Sequence, residues 1–363
     1  MKRLLSWLER LEHRADAIRY RLRSRWDRRQ VWIHAYRGYG TSVEVHVLAR
    51  VLRNQLLPPP QDDDAVWHNA WAMLRRFESD EVPGAAVRVS LQGQSVEVVA
   101  DDEGYVRARL ALPEPLPGDR SWHEATLEPV GGGAPTTGRV LVPPPSARFG
   151  VISDLDDTVL QTGATRFRTM VRRTLFGNAR TRRPFDGVVA FYRALHDGTS
   201  GGEANPLFYV SSSPWNLYDF LADFLRHHGL PDGPLFLRDL GLSRTQVGAG
   251  RHETHKLAWI RRILHTYPQL PFLLIGDSGQ KDHEIYRDVV HDFPGRIRAV
   301  YIRDVSGAER DAAVQALARE VNRQGIDLIL APNTAVMAAH AAGAGFVASG
   351  AVDQVRTAAS GPG

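Results

Sequence analysis

Phe149-Gly150-Val151-Ile152-Ser153-Asp154-Leu155-Asp156-Asp157-Thr158 is the stretch on which the fold turns. A short apolar run ends abruptly in three carboxylates. An apolar run of this length, bounded by polar residues, reads as a buried strand. The pattern then repeats: strands Phe149–Ser153, Leu207–Ser211, Phe272–Gly276, Ile297–Ile302 and Asp327–Leu330 alternate with helical segments. The helices are expected near Val188–His196, Asn216–His228, Glu253–His265, Lys281–Val290 and Ala308–Asn322. Buried strands with intervening helices imply an α/β domain whose parallel sheet is covered on both faces. Such sheets bind ligands outside the carboxyl ends of their strands, so the polar residues there are the ones to examine.

Asp154, Asp156 and Asp157 repel one another unless a cation neutralises them. A hard divalent ion with oxygen ligands does this, and Mg²⁺ is the usual ion beside phosphate. The strand ending at Gly276 runs into Asp277-Ser278-Gly279-Gln280-Lys281-Asp282, which adds two carboxylates at the same sheet edge. Ser211-Ser212-Ser213-Pro214 puts hydroxyl donors ahead of a helix N-terminus, a natural phosphate seat. Lys256 stands near the start of the helix before Phe272. Of 45 Lys and Arg residues only Lys2, Lys256 and Lys281 are Lys. Where Arg serves as the general cation, an internal Lys suits a place that needs a compact ammonium; chance is the competing explanation. Each element alone has a plain reading: a solvated turn, an N-cap serine, a surface lysine. Their joint occurrence, each at its strand end, points to one shared site.

Asp154-x-Asp156-x-Thr158, Ser211, Lys256 and Gly276-Asp277…Asp282 resemble the four motifs of the haloacid-dehalogenase-like phosphatases. More narrowly, Ser-Asp-Leu-Asp-Asp-Thr, Tyr-Val-Ser-Ser-Ser-Pro-Trp-Asn-Leu-Tyr and Gly-Asp-Ser-Gly-Gln-Lys-Asp are similar to the catalytic domain of the actin-patch-associated phosphatidate phosphatases. The resemblance covers about Phe149–Val347 and extends weakly upstream through Arg75-Arg76-Phe77 and Glu81-Val82-Pro83-Gly84. It implies a Rossmann-like sheet of the haloacid-dehalogenase type with a minimal cap. It also implies that Asp154 is a covalent nucleophile and Asp156 a general acid and base. Mg²⁺ would be held by Asp154, the Asp156 carbonyl and Asp277, with Asp282 supporting the metal shell. Ser211 and Lys256 would bind phosphoryl oxygens, with Ser212 a rival to Ser211, and Thr158 would fix the loop. Lys281 is either a second phosphate contact or an exposed helix residue. His252 and His255 read as helix-surface or pocket-wall residues.

Upstream, residues 1–30 read as a basic amphipathic helix, with Leu4, Leu8, Leu11, Ala15, Ile18 and Leu22 on one face. It either packs on protein or lies on an anionic membrane. Residues 31–145 read as a β-rich domain: strands around a turn at Gly38-Tyr39-Gly40, a helix over Ala65–Phe77, then a small antiparallel sandwich. Residues 146–347 form the phosphatase-like domain and 348–363 a flexible tail.

Composition narrows the function classes. With no cysteine, disulfides and thiolate metal sites are excluded. No apolar run approaches the ~20 residues of a membrane span, and Ser6, Glu9 and Arg10 interrupt any signal-peptide core. A cytoplasmic protein, or one peripheral at the inner membrane face, is therefore expected. The net charge is +4, with seven Arg and no acid between Thr158 and Phe185, which favours anionic partners. About fifty residues separate Thr158 from the second strand, leaving no room for a large cap over a small metabolite. An open basic site suits a phosphate projecting from something large: phosphatidate or a related lipid phosphate, alternatively a phosphoprotein or a nucleic-acid end. Nucleic acid is the less favoured partner. The competing class is a binding module on a relic phosphatase fold, against which the intact acidic and basic residues argue.

Overall fold

Apolar–polar alternation from Val31 to Leu141 produces eight strands in the computed structural model, which describes residues 31–53, 81–156, 158–159, 184–238, 251–278, 282–305, 317–323 and 325–360. They are β1 (Trp32–Ala35), β2 (Gly38–Gly40), β3 (Glu44–Leu52), β4 (Ala86–Leu91), β5 (Gln94–Val99), β6 (Tyr105–Ala111), β7 (Trp122–Pro129) and β8 (Thr136–Leu141). All pair antiparallel except β2 with β8. The long β3 carries β1 and β2 in succession and also pairs with β6. The expected sandwich is thus one continuous hydrogen-bonded sheet around its own apolar core, which includes Val45, Val47, Val87, Val106, Leu127 and Val140. Gly38-Tyr39-Gly40 is a strand and not the expected turn. A β-carbon on Gly38 would lie 2.4 Å from the His46 carbonyl oxygen, and one on Gly40 2.3 Å from that of Glu44. The glycines are there for close backbone approach.

The second sheet follows the expected alternation: β9 (Gly150–Ser153), α1 (Val188–Asp197), β10 (Leu207–Pro214), a 3-10 turn at Trp215–Leu217, α2 (Tyr218–His228), β11 (Leu235–Arg238), α3 (Arg251–Thr266), β12 (Phe272–Asp277), α4 (Asp282–Asp292), β13 (Ile297–Arg303), β14 (Asp327–Ala331), α5 (Thr334–Gly343) and α6 (Ala351–Ser360). All six strands are parallel, in the order β11-β10-β9-β12-β13-β14. The chain steps outward from β9 to β11, then returns to the other side of β9 at β12. That reversal is where open α/β sheets bind ligands. The chain is therefore a mixed α/β protein with one parallel and one largely antiparallel sheet.

Helical spacing fixes which faces meet the sheet. Val188, Phe191, Tyr192 and Leu195 of α1 are buried at i, i+3, i+4 and i+7. Residues 348–363, expected as a flexible tail, instead include α6, whose Ala351 and Val355 are buried one turn apart. Gly187, at φ 73°, passes so close that a β-carbon there would lie 2.9 Å from the Val355 carbonyl oxygen. The expected helix within residues 1–30, the helix Ala65–Phe77, the Arg166–Arg183 segment, Asp157 and Lys281 lie outside the described residues. Among the described residues no helix is long and apolar enough to cross a membrane.

The two sheets meet through aromatic rings. Tyr36, between β1 and β2, lies 4.6 Å from Trp215 and 4.5 Å from Tyr218 between ring centroids. The Arg37 amide donates to the Tyr218 hydroxyl at 2.8 Å, and the Arg37 guanidinium pairs with Asp232 at 2.7 Å. The buried Gly40 amide donates to the Tyr267 hydroxyl at 3.1 Å. Leaving a buried donor without its partner costs about 1–3 kcal/mol. Tyr267→Phe, which keeps the ring, is therefore expected to lower unfolding stability by that amount in a urea titration. An unchanged midpoint would show that this bond does not help hold the sheets together.

Candidate active site

The three motif-bearing strand ends converge at the β9–β12 crevice. Asp154 continues the β9 ladder, its amide donating to the Ile275 carbonyl oxygen at 2.9 Å. Asp277 ends β12. Asp282 opens α4 on the face that also buries Ile285, Tyr286 and Val289, so helical spacing turns its carboxylate toward the sheet. Oxygens of Asp154, Asp277 and Asp282 all lie within 4.8 Å of one another, and all three residues are buried. Lys256 occupies the buried stripe of α3, four residues before Ile260 and eight before Leu264. Its Nζ stands 2.9 Å from Asp154 Oδ1 and 2.7 Å from Asp282 Oδ1.

A second group adjoins the first. Ser211 Oγ donates to Asp156 Oδ2 at 2.7 Å, and Ser213 Oγ reaches both oxygens of the same carboxylate at 3.3 and 3.4 Å. The Ser213 amide donates in turn to Ser211 Oγ at 2.9 Å. Alternate strand residues share a face, which puts Ser211 and Ser213 together, both buried, and leaves Ser212 on the other side, half-buried. Ser212 therefore joins neither group. Sequence reading placed Ser213 in the hydroxyl run but singled out Ser212 as the rival to Ser211; the i, i+2 relation to Ser211 was the available signal. Thr158 is buried close in sequence, but its hydroxyl makes no hydrogen bond among the described residues. The side chain of His252 is not described, while His255 is half-buried in α3.

The electrostatics are lopsided. Among the described residues, Asp154, Asp156, Asp277 and Asp282 are all buried, against one buried ammonium, that of Lys256. Arg303, buried at the end of β13 and in register with Asp277, adds a positive charge nearby. Burial pushes the Asp154 carboxyl well above the usual carboxylate range; Lys256 opposes this and the neighbouring Asp282, Asp156 and Asp277 reinforce it. Burial also works against the Lys256 ammonium, but Asp154 and Asp282 outweigh it and hold the amine protonated. Three converging carboxylates with only oxygen donors fit a hard divalent cation and do not suit a soft one.

Residues 149–304 match the family model "Phosphatidate phosphatase APP1, catalytic domain". Over that segment the chain is similar to this catalytic domain. The chain is 34% identical over 163 residues to phosphatidate phosphatase APP1 of Saccharomyces cerevisiae, a match covering 45% of this chain and 27% of that protein. It is 29% identical over 161 residues to an uncharacterized protein of Schizosaccharomyces pombe, covering 43% and 25%. The matched segment thus spans about a quarter of the length of these relatives. Among solved structures, a carbohydrate acetylesterase from Xanthomonas citri aligns over 77% of this chain and 72% of that one, at 15% identity and a TM-score of 0.26. At that score the likeness carries no weight for fold or chemistry.

Removing one partner of a buried ion cluster costs about 3–5 kcal/mol, because the remaining charges stay buried. Lys256→Met is expected to lose stability on that scale when unfolded in urea with a chelator present. A loss below about 1 kcal/mol would mean that Lys256 does not hold Asp154 and Asp282 together.

Proposed function

We propose that this chain is a Mg²⁺-dependent phosphatase of the haloacid-dehalogenase type, acting on phosphatidate or a related lipid phosphate through an aspartyl-phosphate on Asp154. One observation carries the reading: Asp154 sits in the β9–β12 crevice with Asp277 and Asp282 oxygens within 4.8 Å and the Lys256 ammonium at 2.9 Å. A carboxylate in such company has beside it both neighbours that would hold a divalent cation and an ammonium that would bind phosphoryl oxygens. The family match of residues 149–304 supports the substrate class.

In this reading Asp154 attacks phosphorus, forming the acyl–phosphate bond as the ester P–O bond breaks. Asp156 gives its proton to the departing alcohol. As the resulting carboxylate, it then takes a proton from the water that cleaves the acyl phosphate. Ser211 and Ser213 orient Asp156 for both transfers. Lys256 binds phosphoryl oxygens and steadies the charge that gathers on them. Asp154, Asp277, Asp282 and the Asp156 carbonyl would hold Mg²⁺, which when bound offsets charge between nucleophile and phosphoryl group. The described residues between 31 and 145 form a β-rich unit beside the phosphatase unit. The seven arginines between Arg166 and Arg183 draw the chain to an anionic membrane from the cytoplasmic side.

Asp154→Asn is expected to lower Mg²⁺-dependent phosphatidate turnover by at least about a thousandfold and to abolish phosphoenzyme formation in a folded protein. Retention of about a tenth of the activity would refute the nucleophile. Asp277→Ala should raise the Mg²⁺ concentration needed for half-maximal activity, and full turnover in excess chelator would remove the metal from the reading.

The membrane reading has its own test. A basic residue near an anionic surface contributes about 1 kcal/mol. Changing Arg172, Arg173, Arg182 and Arg183 together to Gln should therefore cut sedimentation with phosphatidylserine vesicles and turnover of vesicle-borne phosphatidate. Activity on a soluble aryl phosphate should hold. Equal loss on both substrates would assign the arginines to the pocket or the fold, and no loss on either would point to a soluble phosphorylated substrate.

A further inference from the structure

Asp154 is preceded by a serine whose hydroxyl is fully buried. Ser153 Oγ lies 2.6 Å from the Asp154 backbone carbonyl oxygen and 2.7 Å from the Tyr192 hydroxyl. A carbonyl oxygen can only accept, and serine has one proton to give. Ser153 therefore donates to the carbonyl, and the Tyr192 O–H donates to Ser153 Oγ. The Asp154 amide is bound separately, to the Ile275 carbonyl oxygen. Both peptide planes flanking Asp154 are thus tied, one to β12 and the other through Ser153 to helix α1. With both planes held, the direction of the Asp154 side chain bond is set from behind.

Tyr192 is well placed to act as the fixed end of this relay. It is buried on the inner stripe of α1, between Val188 and Leu195, and its ring packs edge-on to Phe191. Burial raises its pKa, so the phenol keeps its proton and remains a donor. The Arg303 charge acts on it from β13.

We propose that Tyr192 is a positioning residue for the nucleophile, acting through Ser153 to hold the Asp154 backbone in the orientation the reaction needs. The inference rests on the reading of Asp154 as nucleophile given above. A nucleophile displaced by even a fraction of an ångström binds substrate normally but reacts slowly. A relay of this kind should therefore appear in kcat and leave KM nearly untouched.

The test uses the full chain with a soluble aryl phosphate and Mg²⁺, comparing Tyr192→Phe, Ser153→Ala and the double variant. The expected result is a fall in kcat on the order of tenfold to a hundredfold for each single variant, with KM within about twofold. The double variant should fall no further than the worse single one, as for two residues acting through one path. Urea midpoints measured alongside report the structural contribution. A lower midpoint with unchanged kcat would overturn the proposal, since the bond would then only satisfy buried polar groups. Losses that multiply in the double variant would overturn the relay. If Ser153→Ala fails to fold, the kcat against KM split of Tyr192→Phe, which conserves the ring, decides alone. Asp154→Asn run in parallel separates this inference from the reading beneath it. An active Asp154→Asn removes the nucleophile and the relay with it. An inactive one beside a Tyr192→Phe of normal kcat removes the relay only.

Discussion

Among the described residues, four carboxylates share a buried crevice with one ammonium, at the ends of the parallel strands. At an effective dielectric near 20, two unit charges about 5 Å apart repel by about 3 kcal/mol. Several such pairs, each already taken out of water, make the strand edge unstable by itself. Lys256 answers part of the deficit by bridging Asp154 and Asp282. The Ser211 and Ser213 hydroxyls answer another part at Asp156. In the proposed reading, the remaining excess of negative charge is what would suit the crevice to a hard cation and, through it, to phosphate oxygens.

Position in the fold is what makes these groups meet. Asp154 and Asp277 lie at the ends of adjacent strands although 123 positions separate them in the chain, because β12 returns to the far side of β9. Lys256 and Asp282 arrive on helices, each on the stripe that faces the sheet. A charged residue on a buried helical stripe is costly unless a partner awaits it. These two are partners of each other across 2.7 Å.

Much of this was legible in the sequence because it follows short-range periodicity. The β9, β10, β12, β13 and β14 strands read as apolar runs, and the carboxylates just past β9 and β12 stand out against them. The pairing of Ser211 with Ser213, to the exclusion of Ser212, needed only the two-residue period of a strand, which the boundary uncertainty of β10 obscured. Other features were not legible because their cause lies far away in the chain. Gly38-Tyr39-Gly40 looks like a turn by composition, yet its glycines answer to the carbonyls of Glu44 and His46. Helix α6 looks like a tail because it is short and rich in small residues; its order comes from packing against α1 and α5 with Val355 buried. Tyr192 reads as an ordinary core residue, and no local pattern announces that its hydroxyl meets Ser153.

The ring contacts between the sheets bear on how the chain divides. Tyr36, Tyr39, Leu48, Tyr105 and Leu141 come from the antiparallel sheet, yet they belong to the same apolar cluster as Trp215, Tyr218 and Phe236 of the parallel one. The family match begins at Phe149, inside that shared cluster when the cluster is traced in space. The boundary of the matched sequence and the boundary of the apolar cluster therefore do not coincide. A segment cut at the homology border would carry raw aromatic surface where its neighbour had been. Such a fragment would be prone to associate with itself, and its weakness would reflect a severed core and not a missing catalytic group.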